Sequence, residues 1–150
     1  MELSLRAILN YFKMMHKIFP DKEKAKSIFN MALEREKSIS DLKHTKFATI
    51  VTENYYEIIK ELATAILLLN GIKAVGENAH KEIINSMKKH AKFNDEDISV
   101  LQDLRLKRNK SMYEGKQINS SYLENNKEDL LKIINKLKKT FKKKMEKEVK

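Results

Sequence analysis

Between Phe47 and Leu69 apolar residues fall at helical spacing so densely that little polar face remains: Phe47, Ile50, Val51, Tyr55, Ile58, Ile59, Leu62, Ala63, Ile66 and Leu69. A helix apolar on nearly every side is stable only when other helices cover it from several directions. This one segment therefore asks for a bundle, and the chain around it supplies the partners. Asn70-Gly71 ends the helix, with glycine available for a left-handed cap.

Five further segments show helical periodicity. The first runs from about Leu3 to Ile18 and ends near Phe19, because Pro20 disfavours helical geometry in the residue before it; Pro20 can open the second, with Asp21 in its first turn. The second carries Ala25, Ile28, Phe29, Ala32 and Leu33 and dissolves in Ser38-Ile39-Ser40-Asp41. The fourth spans about Glu77 to His90 with Ile83, Ile84 and Met87. The fifth begins at Asn94 or Asp95 with acids favourable to the helix dipole, carries Ile98, Leu101, Leu104 and Met112, and closes at Gly115. Ser121-Tyr122-Leu123-Glu124 reads as a capping box for the last, whose stripe is Leu123, Leu130 or Leu131, Ile134, Leu137 and Phe141. The expected fold is an all-α, antiparallel up-down helical bundle of five to six helices. It forms one domain over residues 1–150, with a Lys-rich C-terminal helix over about 122–149.

Composition closes off several chemistries. Gly71, Gly76 and Gly115 stand alone, so no Gly-rich phosphate cradle of Walker or Rossmann type is present. With no Cys there are no disulfides, no thiolate catalysis and no Cys-ligated metal, which points to a reducing compartment. His16, His44, His80 and His90 show no metal-ligand spacing, and Asp95, Glu96 and Asp97 lack the Gly and distal Glu of a calcium loop. No metal or cofactor is expected. The N-terminus starts with an acid and is soon interrupted by charge, and the longest largely apolar run, Ala63 to Leu69, is too short to span a bilayer, so the expected location is cytoplasmic.

The net charge is +10, and residues 127–150 alone hold ten Lys against four acids, a local balance of +6. Two readings stand side by side: an arm that attracts phosphates in a salt-dependent way, or a solvated Lys-rich helix end. Only Phe141 is interleaved among these lysines, and it lies on the apolar stripe, so a base-stacking platform is not supported.

The candidate site is Leu104-Arg105-Leu106-Lys107-Arg108-Asn109-Lys110-Ser111-Met112-Tyr113-Glu114-Gly115. On a helix, Arg105, Arg108, Asn109, Met112 and Tyr113 share a sector of about 140° beside Ile98, Leu101 and Leu104. A planar guanidinium bordering the core can clamp a phosphate through two parallel hydrogen bonds. Alternatively, such an Arg pairs with a carboxylate such as Glu57 or Glu61 inside the bundle, or the arginines are ordinary surface residues.

The pattern Leu-Arg-x-x-Arg-Asn-x-x-x-Tyr-x-Gly from Leu104 to Gly115 resembles the terminal motif of HEPN domains. Tyr55 to Ala63 with Ala65 to Gly71 resembles the long central helix of that family, and Glu77-Asn78-Ala79-His80 resembles the His-bearing start of its next helix; the likeness spans about Ala25 to Phe141. The resemblance implies a homodimer whose Arg-Asn motifs face each other, with no cofactor. It also implies membership of a toxin-antitoxin-type module with a minimal nucleotidyltransferase partner, and metal-independent cleavage of RNA. Carried over, Arg108 matches the catalytic Arg and Asn109 the polar residue after it; apart from the resemblance, the neighbouring cations Arg105, Lys107 and Lys110 are candidate nucleic-acid or phosphate contacts. Tyr113 stands where active members place His. Imidazole titrates near neutrality and can exchange a proton with a ribose hydroxyl, whereas a phenol is a poor base at pH 7. The site is therefore a degenerate ribonuclease-like one, and the alternative is a noncatalytic dimeric module that binds nucleotide, RNA or a nucleotidyltransferase.

Overall fold

The computed structural model describes residues 4–76 and 78–149, which form α1 (Leu5–Met14), β1 (Met15–Lys17), α2 (Lys22–Ile39), α3 (Ala48–Leu69), β2 (Ile72–Ala74), α4 (Ala79–His90), α5 (Asp95–Glu114) and α6 (Ser120–Val149). Leu3 and Glu77, the expected starts of the first and fourth segments, lie outside the described residues, as does Lys150 of the C-terminal run. The architecture is an all-α bundle with one small ribbon of two strands.

α3 occupies the middle. Fifteen of its residues are buried, α2 and α6 pack along it, and α4 and α5 close the remaining side. The one exposed member of its apolar set is Ile50, which faces outward from the first turn while Ala48, Val51 and Thr52 around it are buried. α6 contributes Leu123, Leu130, Ile134, Leu137 and Phe141, all buried, and the Phe141 ring stacks on Phe29 of α2 with centroids 4.2 Å apart. Three Lys of α6 reach across the bundle: Lys136 to Asp97 at 3.2 Å, Lys138 to Glu36, and Lys144 to the Asn70 amide oxygen at 3.2 Å. Part of the C-terminal positive charge thus pins the helix to its neighbours.

The helix ends follow their local chemistry. Asp21 is the N-cap of α2, one position before the first turn, and accepts from the Lys24 amide; α2 continues through Ser38 and Ile39. Asn94 and Asp97 form a reciprocal capping box at α5. Gly115, at φ 65°, terminates α5 in the left-handed conformation. α6 starts at Ser120, one residue before the expected cap, so Ser121 lies inside the first turn.

The first segment departs most from expectation. α1 stops at Met14 rather than Ile18, and Met15-His16-Lys17 instead pair antiparallel with Ala74-Lys73-Ile72. Gly71, at φ 72°, turns the chain out of α3 so that its carbonyl receives the Ile18 amide at 2.8 Å, and the Met14 carbonyl receives the Val75 amide at 2.7 Å. Continuing α1 to Ile18 would forfeit this ladder and leave β2 unpaired. Among the described residues no helix is long and apolar enough to cross a membrane.

Candidate functional site

α3, α4 and α5 meet at a polar seam. Along it the two long helices run antiparallel: Glu53 accepts from the Ser111 hydroxyl at 2.6 Å, and one turn on Glu57 accepts from Arg108 Nη2 at 3.1 Å. The 3.6-residue repeat sets this register, since Glu53 and Glu57 are four apart on α3 while Arg108 and Ser111 are three apart on α5.

Arg108 is 8% exposed. Its guanidinium lies 5.0 Å from the Tyr56 ring centroid, and its Nη1 reaches the Asn109 side-chain oxygen at 3.5 Å. The carboxylate alternative for Arg108 is thus the observed one, with Glu57 as partner; Glu61 is taken instead by Arg35 at 2.7 Å. Glu57 also holds Lys60 at 2.7 Å. Burial opposes ionisation of Glu57, but the Lys60 hydrogen bond and the charges of Lys60, Arg108 and Arg35 outweigh it and hold its carboxyl below the usual range.

In front of this seam opens a cleft lined by Asn78, His80 and Lys81 from the start of α4 and by Arg105, Asn109 and Tyr113 from α5. Arg105 is steadied by Gln102, whose side-chain oxygen accepts from its Nε at 2.7 Å. Tyr113 is 76% exposed and stands at the rim. His80 Nδ1 lies 3.0 Å from the Tyr56 hydroxyl. Burial pushes the Tyr56 phenol up to about 12, so it stays protonated across the neutral range. Burial and then the charges of Lys60 and Arg108 pull His80 below its ordinary value, which keeps the imidazole neutral at pH 7.

Of the residues expected to act together, Arg105, Asn109 and Tyr113 share the cleft and Arg108 sits behind it, turned towards α3. Met112 is exposed rather than part of the apolar stripe, because the last turn of α5 runs past the helices that cover its start. Lys107 and Lys110 do not join the phosphate group expected around Arg105. They lie on the opposite side of α5, in a separate basic hollow with Lys116, Asn119 and Asn126, and the Lys107 ammonium sits 5.7 Å from the Tyr122 ring centroid. At 100° per residue they are more than a quarter-turn from Arg105, and the bundle separates the two sides.

The residues that sequence reasoning did not assign here are Asn78, Lys81 and Tyr56, while for His80 it left two readings open, approach to the site or a cap or packing role at a helix start. His80 carried a signal as the polar start of a helix, but its meeting with α5 is a tertiary fact. Chemically, the cleft offers a guanidinium, an ammonium, two amides, a phenol and a neutral imidazole, a set suited to an anionic, hydrogen-bonding ligand. No known family's model matches this chain, and no curated protein matches it.

Proposed function

We propose that this chain is a HEPN-type protein of a HEPN–nucleotidyltransferase module, toxin-antitoxin in type, whose cleft is a degenerate, metal-independent endoribonuclease site. The observation that carries this reading is the convergence of Arg105, Asn109 and Tyr113 with His80 on one cleft, backed by Arg108. In this reading Arg105 and Lys81 draw in an RNA phosphate, Asn109 orients it, Tyr113 donates a hydrogen bond at the rim, and Arg108 holds Asn109 while adding positive potential from behind. A second copy would present a second such cleft across a two-fold interface, as the family resemblance implies.

A second reading, a noncatalytic dimeric module that binds nucleotide, RNA or a nucleotidyltransferase, is favoured by one observation. The Arg108 guanidinium is committed to Glu57 in an almost buried ion pair, the arrangement of a group that shapes a site rather than acts in it.

RNA cleavage in EDTA, scored together with RNA binding for wild type, Arg108→Ala and Tyr113→His, separates the two. The ribonuclease reading expects cleavage by wild type and a loss of about 100-fold or more in Arg108→Ala. Cleavage by Tyr113→His alone would show a disarmed ribonuclease scaffold. RNA retained without cleavage by any of the three would establish the binding module.

A further inference from the structure

We propose that His80, from the start of α4, supplies the imidazole for proton transfer in this cleft, in place of the one absent from position 113; the proposal rests on the ribonuclease reading above. Two observations place it there. The side chain lines the same cleft as Arg105, Asn109 and Tyr113, although it comes from a different helix. Its inner nitrogen, Nδ1, is tied to the Tyr56 hydroxyl at 3.0 Å, which fixes the plane of the ring. With the proton on Nδ1, the ring donates to Tyr56 and keeps the Nε2 lone pair free to accept a proton; a partner on one nitrogen setting the role of the other is a general device for histidine.

The step balances with the groups present. His80 Nε2 takes the proton of a ribose 2′-hydroxyl, the 2′-oxygen forms its bond to phosphorus, and the bond from phosphorus to the 5′-oxygen breaks. Tyr113 gives its phenolic proton to the departing 5′-oxygen. The imidazolium then loses its proton to water and the phenolate regains one from water, so the net change is one proton moved from the 2′- to the 5′-oxygen. The products are a 2′,3′-cyclic phosphate and a 5′-hydroxyl end. Tyr56 touches no substrate here and is a positioning residue.

The groups around the imidazole set its pH behaviour. Lys60 and Glu57 face it from α3, Arg105 and Arg108 from α5, and Lys81 and Tyr113 share the cleft wall. Burial and the predominance of positive charge favour the neutral ring, so cleavage should rise with pH along a limb centred below 6.5 and level off by neutrality.

The test is cleavage of a short RNA in EDTA by wild type, His80→Ala and Tyr56→Phe, with and without added imidazole. Binding is measured in parallel on the same oligonucleotide carrying a 2′-deoxy residue at the cleavage position. The expected result is a loss of about 100-fold or more in His80→Ala with RNA affinity within about two-fold of wild type, and recovery of about ten-fold with imidazole. Tyr56→Phe should cleave several-fold more slowly, with a displaced acid limb. If His80→Ala cleaves like wild type, the proposal falls while the ribonuclease reading stands. If His80→Ala is folded by circular dichroism and inactive but is not rescued by imidazole, His80 is structural and the proposal is overturned. If wild type does not cleave, the ribonuclease reading itself fails and the proposal goes with it.

Discussion

Arg108 and Glu57 are unequal members of one ion pair. Glu57 keeps a second cation, Lys60, if Arg108 is removed, whereas among the described residues Arg108 would keep the Asn109 amide and the Tyr56 ring but no carboxylate if Glu57 were lost. Leaving an almost buried guanidinium without its carboxylate is the costlier change. Arg108→Ala should therefore destabilise the fold by about 1–2 kcal/mol and Glu57→Ala by about 2–4 kcal/mol, read from urea denaturation midpoints at constant slope. The same residue-scale logic applies to His90. Asn70 donates its amide nitrogen to His90 Nδ1 at 2.8 Å while its oxygen is held by Lys144, so the accepting nitrogen of the ring faces a fixed donor. Burial, with Lys89 and Lys144 nearby, lowers the affinity of His90 for a proton below its ordinary 6.5. The unfolded chain then binds more protons than the folded one between that lowered value and 6.5, so stability falls as pH drops through this window. His90→Gln should flatten this part of a plot of unfolding free energy against pH.

At the scale of elements, two glycines with similar φ do different work. Nothing lies within 4 Å of a Cβ added at Gly115, so Gly115→Ala should cost only the left-handed penalty, about 1 kcal/mol. At Gly71 the added Cβ would stand 2.7 Å from the Ile18 carbonyl oxygen, a backbone atom fixed by the ribbon, and Gly71→Ala should cost roughly 3 kcal/mol or more. Thermal unfolding of the two variants checks the order. The elements also show what a sequence reveals. α3 was legible because its apolar residues run for six turns, and α5 because acids and Gly115 mark its two ends. β1 and β2 were not, since three residues are too few to display alternation and their pairing depends on a partner more than fifty residues away. The candidate site divides in the same way. Arg105, Asn109 and Tyr113 could be grouped from helical spacing along one segment, whereas the arrival of His80 and the separation of Lys107 and Lys110 are set by packing between segments.

For the whole molecule, α3 is the wall that α2, α4, α5 and α6 share, and α6 closes the bundle by laying its stripe along it. Phe141 lies far along that stripe, stacked on Phe29 of α2, so it joins the last helix to an early one across the core. Phe141→Ala should cost about 3–5 kcal/mol. Because the core is continuous, the loss should appear as a lower midpoint in one cooperative transition, seen alike by circular dichroism and tyrosine fluorescence.

The ribbon bears on the cleft in a way its size conceals. β2 leads through Val75 and Gly76 to α4, and α4 brings His80 to the cleft, so one side of the cleft, packed on α3 and α5, is also tied through the ribbon to residues more than fifty positions earlier. The segment from Met15 to Ile18 never touches the cleft, yet it anchors the strap from which that side hangs. The gap between His80 and Arg105 is in this sense a measurement the chain takes of itself, with residues 15–17 holding one end of the ruler.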